Sequence, residues 1–178
     1  MPDELLQRRE FLEGVAVLPL AATQAASATA GMKLAIGADH AGFPLKGPVI
    51  TLLKSWGHTV KDCGTFTPEP VDFPDIAKKV CEEVLTGRAQ RGIMVCGTGV
   101  GACIAANKVK GIRAALCHDT FSAHQSVEHD DVNVVCIGAW IIGQKLAEEI
   151  LAAFLKARFS TDEEFRRRVR KLQEMEKK

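Results

Sequence analysis

In the string VCGTGVG (95–101), Cys96 stands between a short apolar run and three closely spaced glycines. A thiol where a strand gives way to a turn and then a helix is placed for proton transfer. The helix dipole and the first backbone N–H groups lower a thiol pKa, and glycines let those N–H groups approach an anion closely. Other proton-handling groups recur at comparable places: Asp39-His40 after one apolar run, His118-Asp119 after another, and the segment EHDDVN (128–133).

Two chemistries compete for these residues. Gly97-Thr98-Gly99-Val100-Gly101-Ala102 satisfies G-x-G-x-x-A, and Asp119 follows about twenty residues on, where a ribose-binding acid would stand. That describes a dinucleotide-binding module without catalysis. Against it, the glycines follow the third strand-like run rather than the first, and no second nucleotide-binding half is evident. The other reading is an aldose–ketose isomerase working through an enediolate. It needs a base between adjacent carbons, donors for the developing oxyanion and an acid/base to open a cyclic sugar. Cys96 would be the base and the N–H groups of the glycine turn the anion hole. Spacing alone leaves open that Cys96 merely ends a buried strand.

The elements that must position these groups alternate regularly. Strand-like runs occur at 33–38, 58–64, 92–97, 112–118 and 132–138, and helical patterns at 44–56, 75–86, 99–108, 120–128 and 143–158. GIMVCG (92–97) is almost wholly apolar, as a central parallel strand is, whereas HTVKDCG (58–64) is more polar and nearer an edge. The repeat predicts an α/β fold: a three-layer α/β/α sandwich, Rossmann-like, on a parallel sheet of about five strands. In such sheets ligands bind beyond the carboxyl ends of the strands. A last helix over 161–178 has acidic residues in its first turn and a thin apolar stripe of Phe165, Val169 and Leu172. So narrow a stripe predicts packing on a partner subunit.

Composition narrows the classes. The 178 residues carry 23 Lys and Arg against 22 Asp and Glu, a net charge of +1 that gives no reason to expect nucleic acid. Tyr is absent, so aromatic platforms for bases are scarce. The six cysteines are scattered, with no C-x-x-C pair and no metal-ligand spacing, and five read as reduced core or near-core thiols. Residues 1–31 stand apart. Arg8-Arg9, an Ala-rich weakly apolar stretch and Ala28-Thr29-Ala30 before Gly31 resemble a twin-arginine export leader, too short and weakly apolar to span a membrane. Glu10 and Glu13 are unusual for such a leader, and Met32 opens the fold cleanly. Residues 1–31 therefore read as a signal-like or disordered extension, 32–160 as the α/β domain and 161–178 as a dimerisation helix. Localisation is cytoplasmic or extracytoplasmic according to whether the leader is used.

GADHAGFPLK (37–46), GIMVCGTGVGACIAANKVKGIRAALC (92–117) and SAHQSVEHDDVNVVCIGA (122–139) closely resemble the type B ribose-5-phosphate isomerase family, which includes galactose-6-phosphate and allose-6-phosphate isomerases. The likeness runs from about Met32 to Arg170. It implies a dimer or dimer of dimers with shared active sites, a sugar or sugar phosphate as the small-molecule partner, no cofactor and no metal; no membrane partner is expected. It implies that Cys96 is the proton-transferring base, Thr98 lies beside the enediolate oxygens, and Gly97, Gly99, Val100 and Gly101 form the anion hole. His129 is matched to the ring-opening histidine, and Asp39 and His40 to contacts with sugar hydroxyls and the phosphate end. Asn107 is expected to support the site. Asp130 stands where some members have Asn, and Asn133 matches. The pentose reaction implied is ribose 5-phosphate to ribulose 5-phosphate.

The chain departs from the family at the phosphate. A G-x-R arginine after the fifth strand is replaced by Trp140. Of two tail arginines four residues apart, the first falls on Glu164 and only the second on Arg168, although a small shift would bring in Arg166, Arg167 or Arg170. Tryptophan cannot replace a bidentate guanidinium, and a carboxylate repels a phosphate. An isomerase of an unphosphorylated sugar is therefore the alternative, and a silent sugar-binding relative a further one.

Overall fold

A computed structural model describes residues 31–177. The leader reading, apart from Gly31, lies outside the described residues. The elements run β1 (Lys33–Ala38), α1 (Phe43–Ser55), β2 (Thr59–Asp62), α2 (Phe73–Leu85), β3 (Arg91–Cys96), α3 (Val100–Ala106), β4 (Ala114–Leu116), α4 (Thr120–Asp130), β5 (Val134–Gly138), α5 (Gln144–Lys156) and α6 (Glu163–Met175). The five strands form one sheet in the order β2-β1-β3-β5-β4, and every neighbouring pair is parallel. This is the expected α/β/α architecture.

Side chains on a strand point alternately to opposite faces, and the two cores follow that period. Leu34, Ile36, Ile93, Val95, Val135 and Ile137 face α1, α4 and α5, while Ala35, Met94, Val134 and Cys136 face α2 and α3. Every residue of β3 is buried, as its apolar run required, and β2 is half exposed at the sheet edge. The strand expected over 112–118 contracts to the three residues of β4. It is the other edge, where pairing from one side alone sustains less ladder. Gly57 and Gly87 end α1 and α2 with positive φ.

Helix α6 packs against α4, and its last turn reaches Gly111, whose N–H donates to Glu176. Val169 is buried and the Phe165 ring stacks on His129 of α4, with centroids 3.9 Å apart. Part of the stripe assigned to a partner is thus used within the chain. No helix among the described residues is long and apolar enough to cross a membrane.

Candidate active site

The strand order fixes where a ligand cleft must open. From β1 the chain crosses to β2 on one side, and from β3 it moves to β4 on the other. Beyond the carboxyl ends of β1 and β3 the connections diverge, the switch point at which open α/β sheets bind ligands. Asp39 follows β1 there and Cys96 ends β3. The Cys96 thiol donates to Asp39 Oδ2 at 2.9 Å, and the backbone N–H of Gly42 donates to the other oxygen, Oδ1, at 2.8 Å. One buried carboxylate therefore ties the start of α1 to the thiol.

Cys96 is only 8% exposed. Burial pushes its thiol pKa up, and the hydrogen bond and negative charge of Asp39 push it further. The N–H groups of Gly99 and Gly97 pull it back less strongly. This corrects the expectation of a thiol depressed by the turn: at rest Cys96 is a protonated donor. The thiol held below its usual value is Cys103 on α3, through hydrogen bonding with Cys136 of β5.

The glycine turn is built as the sequence requires. Gly99 has φ +80°, and a Cβ there would also press on Leu116 and the backbone of Ile137. Thr98 is exposed at the tip and its hydroxyl accepts from the Val100 N–H at 3.4 Å. Val100 and Gly101 open α3, with Gly101 against the Phe73 ring. His40 is exposed beside Asp39. Beyond β5, Ala139 and Trp140 continue the ladder, their N–H groups donating to the carbonyls of Cys96 and Gly97 at 2.8 and 2.9 Å.

The remaining expected site residues lie elsewhere. Val134 pairs with Gly92 and Gly138 with Cys96, so the strand ends are separated by roughly 13 Å. His129 and Asp130 end α4 on the Val134 side, where Arg113 donates to the Asp130 carbonyl at 3.0 Å. Arg168 is beside them on α6, its guanidinium 5.5 Å from the Phe165 ring centre and 3.5 Å from Glu164. One chain thus carries two clusters: Asp39, His40, Cys96 and the glycine turn at the carboxyl end, and His129, Asp130, Phe165 and Arg168 at the amino end. Asn107 belongs to neither. Its side-chain amide donates to the Ala114 carbonyl at 2.8 Å and accepts from the Ala114 N–H at 2.9 Å, bracing α3 against the start of β4. Any support it lends the site therefore passes through the seating of α3 beside β4.

Asp119, the acid a dinucleotide reading would need, is occupied as the N-cap of α4, accepting from the Ser122 N–H at 2.7 Å and the Ser122 hydroxyl at 2.7 Å. Lys46 was not singled out by sequence reasoning. It is 3% exposed, and its ammonium donates to both oxygens of Asp62 at 2.7 Å and to the Thr65 carbonyl at 2.6 Å. The Thr65 N–H in turn donates to Ala38, immediately before Asp39. Only its place in the string HAGFPLK hinted at such a role. Among the described residues no cluster of three metal-ligating side chains occurs.

Comparison with known proteins places the chain in a family. Residues 34–172 match the family model described as Ribose/Galactose Isomerase. The chain is 45% identical over 129 residues to D-erythrulose-4-phosphate isomerase of Pectobacterium atrosepticum, covering 72% of this chain and 85% of that protein. It is 43% identical over 127 residues to ribose-5-phosphate isomerase B of Escherichia coli, covering 71% and 85%. Ribose-5-phosphate isomerase B of Clostridium thermocellum superposes with a TM-score of 0.80 at 46% identity, covering 82% of this chain and 98% of that structure. With its thiol at the switch point and its glycine turn opening α3, the chain belongs to the ribose/galactose isomerase family.

Proposed function

We propose that the chain interconverts an aldose phosphate and its ketose, ribose 5-phosphate and ribulose 5-phosphate first among them, through an enediolate with Cys96 as the base. The observation that carries this reading is the Cys96–Asp39 pair at the switch point, next to a turn of backbone donors.

The thiol gives up its proton along the hydrogen bond to Asp39. A thiolate whose pKa is raised is a stronger base, which suits removal of a proton from carbon. It takes the proton from C2 of the open-chain aldose, and the electron pair moves through the C1–C2 bond onto O1. N–H groups of the turn from Gly97 to Gly101 hold the developing negative oxygen, with Thr98 beside it. The proton on O2 passes to O1, and Cys96 returns its proton to C1, leaving the carbonyl at C2. Asp39 and His40 contact the sugar hydroxyls.

Ring opening is assigned to His129, with Asp130 and Arg168 binding substrate. In one chain these lie at the far end of the sheet from Cys96, which supports sites shared between two copies: the amino-end cluster of one meets the carboxyl-end cleft of the other. A dimer is the smallest assembly that supplies both.

The test is solvent proton exchange. The purified protein should interconvert ribose 5-phosphate and ribulose 5-phosphate and exchange the C2 hydrogen in heavy water. Cys96→Ala should lose both. Persistence of exchange in that variant would show that the base has been misassigned.

A further inference from the structure

The indole of Trp140 stands against the glycine turn. A methyl group added at Gly97 would lie 2.8 Å from Cζ3 and 2.9 Å from Cε3 of the ring, so one edge of the indole fills the space a side chain at Gly97 would take. The backbone is pinned as well, since the Trp140 N–H donates to the Gly97 carbonyl at 2.9 Å. Yet 73% of the residue is exposed. An indole fixed at one edge and open over the rest presents a rigid apolar face, one residue away from the thiol that ends β3. Such faces pack against the C–H surface of a ligand while the polar groups around them fix its orientation.

The rest of the carboxyl end sharpens the point. The segments following the strands there, 39–42, 63–72, 97–99, 117–119 and 139–143, contain no Lys or Arg. The buried Lys46 is committed to Asp62 and Thr65. These segments offer carboxylate, imidazole, hydroxyl, amide N–H and exposed apolar side chains, Phe66, Trp140 and Ile141 among them, which are groups that read carbon and hydroxyl.

We propose that Trp140 is a specificity-determining residue of the isomerase, its exposed indole face packing against the carbon chain of the sugar beyond the reacting C1 and C2. The proposal rests on the isomerase reading above. It differs from a phosphate contact in kind: the wall selects for an extended C–H surface, and any charge on the far end of the substrate is met by other groups, for which the amino-end cluster of a second copy is available.

Trp140 and Trp56 are the only tryptophans, so fluorescence can report on one indole. In protein carrying Trp56→Phe and Cys96→Ala, which binds without turnover, ribose 5-phosphate should quench or shift Trp140 emission saturably, and inorganic phosphate alone should not. In otherwise native protein Trp140→Ala should raise KM for ribose 5-phosphate by about tenfold with kcat changed by less than about threefold, and Trp140→Phe should recover most of the loss. An unchanged KM in Trp140→Ala overturns the proposal, as does quenching by phosphate alone. If native protein does not turn over ribose 5-phosphate, the isomerase reading for that sugar falls instead. The proposal is then judged by the fluorescence titration, and absence of quenching by the sugar phosphate overturns it.

Discussion

The Cys96 thiol and the Asp39 carboxylate lie 2.9 Å apart at the ends of two adjacent parallel strands, joined by a hydrogen bond in which sulfur is the donor. The base of the proposed reaction is therefore stored in its protonated form. Its proton has an acceptor already in place, and the same carboxylate is anchored from the opposite side by the Gly42 N–H.

Asp39→Asn should lower the pKa of Cys96, because it removes the carboxylate that holds the thiol up while leaving its burial unchanged. The pH profile for iodoacetamide labelling of the Cys96 peptide, followed by mass spectrometry, should move to lower pH. Activity should nonetheless fall, by about tenfold or more, because the proton acceptor is lost. A profile that stays put would show that Asp39 does not control the thiol. Reading the peptide separately matters because Cys103, with its depressed pKa, should label first in native protein.

Mixing two inactive variants should restore activity. Cys96→Ala lacks the proposed base and His129→Asn the proposed ring-opening group. In a randomly exchanged dimer, half the assemblies are mixed and each holds one site with both groups intact, so activity should return to about a quarter of native. If each chain carried a complete site, mixing would restore nothing.

Two buried cations should matter to stability more than any surface pair. Arg91 donates to the Ala157 carbonyl at 2.8 Å and also to Phe154, closing the C-terminal turn of α5 against β3. Arg91→Met should cost about 3 kcal/mol by leaving those carbonyls without donors. Lys46→Met strands Asp62, but that side chain is 30% exposed and regains water, so the cost should be nearer 2 kcal/mol. Urea unfolding of the two variants against Lys145→Met, whose exposed Glu148 pair should be almost neutral, gives the ranking.

Stability should decline in alkali. Burial pushes the thiols of Cys63, Cys81 and Cys117 up to about 11, from an ordinary value of about 9. Their folded-state pKa lies above the unfolded one, so the protonated form favours folding. That contribution is complete below pH 9 and is lost as pH rises from 9 toward 11, at up to about 1.4 kcal/mol per thiol per pH unit. With no Tyr to titrate in the same range, the fall in melting temperature between pH 8.5 and about 10.5 should be smaller in Cys81→Ala than in native protein.

Much of the fold was legible because parallel strands buried on both faces read as apolar runs and the helices between them carry a different period. β1 and β3 emerge within a residue or so of where the residues put them. β4 does not, because an edge strand's length is set by what its single neighbour pairs with. The glycine turn after Cys96 was legible from glycine spacing alone. The Cys96–Asp39 bond was not: the two residues are 57 apart in sequence, and their meeting depends on β1 and β3 being neighbours, which local pattern does not reveal. For the same reason the direction of the thiol pKa does not follow from the sequence. The turn's N–H groups can be read from sequence, whereas burial and an adjacent carboxylate appear only in three dimensions. Lys46 hid for a third reason, since lysine near a helix start ordinarily reads as solvated.

Gly97 and Trp140 occupy one volume between them. A side chain at 97 has room only if the indole leaves, and an indole at 140 has its seat only while 97 stays bare. Substitutions at the two positions are therefore chemically interlocked: a lineage of such chains could trade the aromatic wall for a smaller or charged residue in a single step, but could remodel the turn beneath it only after that trade had been made.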